Sequence, residues 1–214
     1  MNILLVAGGS PDEWPQFDAE TFDYLVGIDR GSLYIVKSGW SLDLAVGDFD
    51  SLSYEERQLI QKEAGELVQA TAEKDDTDTQ LALALAVEKF PKADITIIGA
   101  TGGRLDHFLA NLWLPFEPRF QQFVRQIKIK DHQNSIVYYL PGEYVVQKEA
   151  RMDYLAYCCL TPVKNLTLTE SKYTLDHVDV AIPTSYASNE FVGETAGFSF
   201  DTGMIAVIQS RDDK

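Results

Sequence analysis

The spacing of apolar residues changes period once along the chain, and that change limits the possible folds more than any other feature. Up to about residue 125, short continuous apolar runs at 3–7, 24–28, 44–46 and 95–98 read as strands. Helical signals lie between them. A short helix over 32–38 is stopped by Gly39. Ser53-Tyr-Glu-Glu56 and Thr77-Asp-Thr-Gln80 are capping-box matches, the first opening a helix to about Ala64 before Gly65 and the second leading into residues 81–87. After Gly102-Gly103, Leu105, Phe108, Leu109, Leu112 and Trp113 fall at i, i+3, i+4, i+7 and i+8, and Pro115 ends that helix. Continuous apolar strands alternating with helices imply a mainly parallel sheet covered on both faces.

From about residue 126 the period is two. Ile127 and Ile129 alternate with polar neighbours, and Val178, Val180 and Ile182 alternate with His177, Asp179 and Ala181. Turn formers recur at Pro141-Gly142, Pro162, Pro183 and Asp201-Thr-Gly203, and no helical pattern follows Trp113. This is antiparallel β structure, a sandwich or jelly-roll-like domain. The expected organisation is an α/β domain over 1–140 and an all-β domain over 141–214, with the strands at 126–140 finishing the first sheet.

Charge narrows the partners. Eighteen basic residues against 33 acidic ones give a net charge of −15, which argues against nucleic acid or an anionic membrane held by surface electrostatics. A phosphorylated small molecule stays possible if a divalent cation supplies the positive charge. No run approaches the ~18 apolar residues of a membrane span, and Met1–Ala7 reads as a strand rather than a signal peptide. The two cysteines, Cys158 and Cys159, are adjacent, so strand geometry sends them to opposite faces; they read as buried thiols of a reducing, cytoplasmic protein.

In an open parallel sheet, ligands bind at the carboxyl ends of the strands. Each unusual polar motif of the first half falls at such an end: Gly8-Gly9, Asp29-Arg30-Gly31, Asp48 and Asp50 in Gly47-Asp-Phe-Asp-Ser51, and Gly102-Gly103-Arg104. Asp75, Asp76 and Asp78 come just before and at the start of a helix. Two carboxylates at i and i+2 repel unless something positive lies between them, and a hard cation such as Mg²⁺ takes oxygen ligands together with substrate phosphates. Asp78, near a helix N-terminus, stays ionised and is placed to join them. In the run 99–107, glycine backbone and Arg104 suit phosphate, with Asp106 and His107 on the helix face away from Leu105 and Leu109. No Walker A or dinucleotide-binding spacing occurs.

The strings GDFDS (47–51), KDDTDTQLAL (74–83) and GATGGRLDH (99–107), in this order and spacing, resemble the thiamine pyrophosphokinase family. The likeness extends upstream to Asp29-Arg-Gly31 and downstream to Ser185-Tyr-Ala-Ser-Asn-Glu-Phe191, nearly the whole chain. It implies an N-terminal catalytic domain binding ATP and Mg²⁺, and a C-terminal domain completing the thiamine site. It also implies a homodimer with active sites at the subunit interface. The implied reaction transfers pyrophosphate from ATP to the thiamine hydroxyl, releasing AMP. By the family pattern Asp48, Asp50 and Asp78 are the metal ligands, with Asp75 beside them. Asp29, Arg30, Gly102, Gly103, Arg104, Asp106 and His107 then surround the nucleotide, and Ser188 and Asn189 contact the thiamine pyrimidine. Animal members carry a tryptophan near the C-terminus that stacks on thiamine; here that stretch reads Gly203-Met-Ile-Ala-Val207.

Two other readings compete. In an aspartyl-nucleophile phosphohydrolase Asp48 would attack phosphorus itself, but residues 99–107 would then have no task. A nucleotide or metal sensor without turnover would need fewer motifs than this chain spreads over its strand ends.

Overall fold

Ile3, Leu4 and Leu5 are all fully buried, as a strand covered on both faces requires. They lie on β1 (Asn2–Val6) of a computed structural model that describes residues 1–70 and 76–212. The chain divides into two units between His132 and Gln133. The first runs β1, β2 (Tyr24–Ile28), α1 (Arg30–Lys37), β3 (Leu42–Gly47), α2 (Tyr54–Glu63), β4 (Ala64–Gln69), α3 (Asp78–Lys89), β5 (Asp94–Ile98), α4 (Leu105–Leu112) and β6 (Ile127–Lys130).

Its strands pair in the order β6-β5-β1-β2-β3-β4, every pairing parallel. Leu4 and Val6 face a cluster built with Leu33 and Ile35 of α1 and Ile60 of α2. Ile3 and Leu5 point the other way, and α3 packs on these strands with Ala82, Leu83 and Ala86 buried. Both capping boxes are formed: Ser53 with Glu56 opens α2, and Thr77 with Gln80 opens α3.

Two expectations need correction. The helix from Tyr54 stops at Glu63 and passes straight into β4, which the sequence does not announce, because this edge strand is largely exposed and lacks an apolar run. Gly65 is therefore a strand residue rather than a helix stop, and a Cβ there would stand 3.0 Å from the Asp43 carbonyl oxygen. On α4 the apolar stripe does not enter the core: Leu105, Leu109 and Trp113 are 76%, 38% and 54% exposed.

The second unit contains β7 (Asn134–Tyr139), β8 (Gly142–Gln147), β9 (Tyr154–Cys159), β10 (Val163–Thr169), β11 (Leu175–Val180), β12 (Thr184–Asn189), β13 (Thr195–Phe200) and β14 (Ile205–Ser210). The expected boundary at 140 falls inside this unit, because β7 pairs antiparallel along its whole length with β14. Antiparallel sheets β12-β9-β14-β7 and β11-β10-β13-β8 enclose a core in which Tyr157 and Val207 of one sheet join Leu166 and Phe198 of the other. Burial alternates along β9, so Cys159 is buried while Cys158, half-buried, faces the Ser185 hydroxyl at 3.1 Å; both thiols are free. Among the described residues no helix is long and apolar enough to cross a membrane.

Candidate active site

Strand order fixes where the first unit can bind a ligand. The chain steps outward from β1 through β2, β3 and β4, then returns to place β5 on the other side of β1. At such a reversal the loops leaving β1 and β5 diverge, and their separation opens a crevice at the strand carboxyl ends. A crevice of about 480 Å³ lies there, lined by Gly8 and Gly9 after β1, Asp29 and Arg30 after β2, Asp78 of α3, and Gly99 to Thr101 with Gly103 after β5.

The loops approach each other closely. The Gly9 N–H donates to the Gly99 carbonyl at 2.9 Å, and a Cβ on Gly9 would come within 2.5 Å of that same oxygen. A side chain at either position would push the loops apart.

The Gly-Asp-Phe-Asp-Ser turn is held by Asp29. This residue has φ 52° and ψ −121°, a strained backbone for a non-glycine residue. Its Oδ1 accepts the Phe49 N–H at 2.9 Å. Phe49, also left-handed at φ 55°, buries its ring, and the Asp48 Oδ1 accepts the Asp50 N–H at 3.0 Å. Gly47 is required because a Cβ there would stand 2.7 Å from Asp29 Oδ1. The turn thereby separates the two acids the sequence pairs. Asp48 turns inward and Asp50 is exposed.

Asp48, Asp29 and Asp78 come together instead. One carboxylate oxygen of each lies within 4.8 Å of the others, and all three are half-buried. The Asp29 carboxyl is pushed up to about 6, first by burial and then by the charges of Asp78, Asp48 and Asp50, against the lowering effect of the Phe49 N–H. Three crowded carboxylates from separate elements, with the proton affinity of Asp29 raised partly by its neighbours' charges, fit an oxygen-liganded divalent cation. Asp50 is exposed and is not one of these three, though its charge also acts on Asp29. Asp75 lies outside the described residues.

The glycine-rich loop divides its tasks. Gly102, at φ 75°, makes the turn, while Gly103 lines the crevice with open space where a Cβ would be. Arg104 and His107 also line it. Asp106 does not; it forms a two-point pair with Arg104, at 3.2 Å from Nε and 2.6 Å from Nη2. That contact holds the Asp106 carboxyl below its usual range. Arg30 reaches across the floor to donate to the Ser51 carbonyl at 2.6 Å. Asn111, buried on α4, donates to the Ala100 carbonyl at 3.0 Å and ties helix to loop.

In the second unit Ser188 and Asn189 part ways. Ser188 is exposed, at φ 58°, where the β12–β9 register slips between Tyr186 and Asn189. Asn189 is only 2% exposed. Its Oδ1 accepts the N–H groups of Tyr173 and Glu190, both at 2.9 Å, and its Nδ2 donates to the Tyr173 carbonyl at 2.8 Å and the Ser171 hydroxyl at 3.3 Å. Both ends of the amide are thus engaged inside the unit.

Comparison with known proteins adds the family. Residues 19–129 match the family described as thiamin pyrophosphokinase, catalytic domain, and residues 143–205 match thiamin pyrophosphokinase, vitamin B1 binding domain. The chain belongs to the thiamin pyrophosphokinase family. A thiamine pyrophosphokinase of Bacillus subtilis (strain 168) is 36% identical over 214 residues, covering 98% of this chain and 99% of its own. The crystal structure of a thiamin pyrophosphokinase family protein from Enterococcus faecalis is 64% identical with a TM-score of 0.98, covering both chains in full. The thiamin pyrophosphokinase from Candida albicans, at 16% identity and a TM-score of 0.79, shares the fold over 99% of this chain and 89% of its own.

Within this family architecture, sequence reasoning missed that Asp29 completes the carboxylate group. It comes from a different strand end than the acidic motifs, and its backbone strain is invisible in the sequence. Asn111 was missed as well, since one polar residue on an apolar helix gives no signal of its own.

Proposed function

We propose that Asp29, Asp48 and Asp78 hold Mg²⁺ with the phosphates of ATP in the first-unit crevice. The chain transfers pyrophosphate from ATP to the hydroxyl of thiamine, giving thiamine diphosphate and AMP. The observation that carries the cation reading is the convergence of three carboxylates from separate elements at the mouth of a crevice rimmed by glycine backbone. When bound, the cation offsets the negative charge of the polyphosphate, which the protein's own −15 would otherwise repel.

The chain's residues do the positioning. Gly103 leaves room for backbone N–H groups to approach phosphate oxygens, and Arg104 grips them once it exchanges its exposed Asp106 partner for the more highly charged ligand. Arg30 and His107 border the same space. Asp50 strengthens the field that draws a cation in. In the second unit the exposed Ser188 hydroxyl is the group available to the thiamine pyrimidine, while Asn189 beneath it fixes the local backbone.

Two further proposals concern assembly and location. The exposed Leu105, Leu109 and Trp113 stripe supports a homodimer, since such a stripe on a site-bearing helix favours a partner surface. Two free cysteines support a reducing, cytoplasmic setting.

Nucleotide analysis tests the reaction. AMP should appear in step with thiamine diphosphate, without ADP. ADP with thiamine monophosphate would indicate an ordinary kinase. Free phosphate independent of thiamine would revive the aspartyl-nucleophile phosphohydrolase, which the family match does not favour.

A further inference from the structure

The first turn of α3, which carries Asp78, is tied to a segment that none of the sequence motifs includes. Gln80 Oε1 accepts the Thr77 N–H at 2.7 Å, while its amide nitrogen donates to Glu117 Oε1 at 2.6 Å. Glu117 Oε2 accepts from Arg119 Nε at 2.7 Å. Both terminal nitrogens of Arg119 then donate to Asp76, at 2.7 and 2.8 Å. The contacts leave the helix at Gln80 and return at Asp76, closing a ring around Asp78. The guanidinium carbon lies 4.7 Å from the centroid of the Phe120 ring, which is fully buried, so Arg119 rests on a fixed surface.

We infer that Glu117 and Arg119 are positioning residues, a clasp that sets the Asp78 carboxylate against Asp29 and Asp48 for pyrophosphate transfer. This rests on the cation reading above. Asp29 and Asp48 are registered to each other by β2–β3 pairing and by the Asp29 bond to Phe49. Asp78 arrives on a helix instead. Buried Ala82, Leu83 and Ala86 fix the body of α3, but helix ends fray, and Asp78 is its first residue. Holding Asp76 on one side and Gln80 on the other removes that freedom. Asp76 is thus an anchor within the acidic motif, with both carboxylate oxygens engaged by Arg119. A lysine could not replace the clasp, because one ammonium cannot reproduce a planar fork that grips Asp76 while Nε meets Glu117.

The test uses the full chain and Mn²⁺ alone as probe, followed by electron paramagnetic resonance, beside steady-state kinetics. Arg119→Ala should weaken Mn²⁺ binding and lower kcat, each by about tenfold or more, since small misplacements of a reacting group are costly. The KM for thiamine should stay unchanged. Arg119→Lys should fall between the two, and serves as the test variant if Arg119→Ala fails to fold. Adding Asp76→Asn to Arg119→Ala should cause little further loss, because the pair acts as one unit. Wild-type Mn²⁺ affinity in Arg119→Ala, or fully additive losses in the double variant, would overturn the clasp. Equal Mn²⁺ binding by wild type and Asp78→Asn would instead remove the cation reading, and the clasp with it.

Discussion

Asp78 and Asn189 are both singled out by the sequence as ligand contacts, yet one reaches into a crevice and the other is sealed inside its unit. The difference lies in the two sheets. In the parallel sheet of the first unit, every strand ends in a loop at the same edge, and the return of β5 beside β1 leaves that edge open. Polar side chains there face solvent or ligand without crossing the core. In the antiparallel second unit, alternation alone would leave Asn189 on the exposed face of Ser185 and Ala187, but the register slip at left-handed Ser188 turns it into the interior, where its amide must be satisfied. A polar residue at a parallel strand end is a good functional candidate. One in an antiparallel strand is as readily structural.

Removing the cation should separate the two regions most sharply. Chelation by EDTA should lower activity by a factor of at least about 10³, fully restored by Mg²⁺, because metal stabilisation of phosphate oxygens is worth several kcal/mol. The melting temperature should fall modestly, since chelation withdraws the stabilisation of the bound cation and leaves the carboxylates repelling one another. Activity that survived chelation would break the comparison.

A smaller effect is expected from Asn189→Ala. Four hydrogen bonds end on this side chain, and leaving their partners unpaired should cost roughly 1–3 kcal/mol of stability, read as a lower melting temperature. The KM for ATP should not move. Unchanged stability with a raised KM for thiamine would return Asn189 to direct contact with substrate.

The smallest effect concerns pH. Because the folded Asp29 carboxyl titrates near 6 rather than at 3.8, the folded protein holds this proton over a range in which the unfolded chain has lost it. Metal-free stability should therefore fall as pH rises from about 4 to about 6 and remain lower above that, by about 1 kcal/mol after allowing for solvent screening. Asp29→Asn keeps the oxygen that accepts the Phe49 N–H and should flatten the slope. An identical slope in wild type and variant, measured by denaturant melts, would mean that Asp29 does not carry the strain of the acidic group.

Local signals were the most legible ones. Ser53 with Glu56, and Thr77 with Gln80, announce their helices because a capping box is satisfied by neighbours in sequence. β4 was hidden because an exposed edge strand needs no apolar run. The spacing of Asp50 from Asp48 is visible in the sequence, while the left-handed Phe49 that turns Asp50 outward is not. Asp29 and Arg119 were undervalued for a related reason. Each acts through partners that only the fold brings near, Asp29 through Asp48 and Asp78 and Arg119 through Asp76. The α4 stripe misled on burial, since a helical period shows which residues share a face and not what covers that face.

The most direct test of whether the first-unit acids serve chemistry rather than fold is Asp48→Asn. The substitution keeps the oxygen that accepts the Asp50 N–H and removes one charge from the group of three. Metal-free melting temperature and initial rate should be measured side by side with wild type. The melting temperature should be equal or slightly higher, because repulsion is relieved, while the rate falls by a factor on the order of 10³. A variant that melts lower yet keeps wild-type specific activity would contradict the assignment.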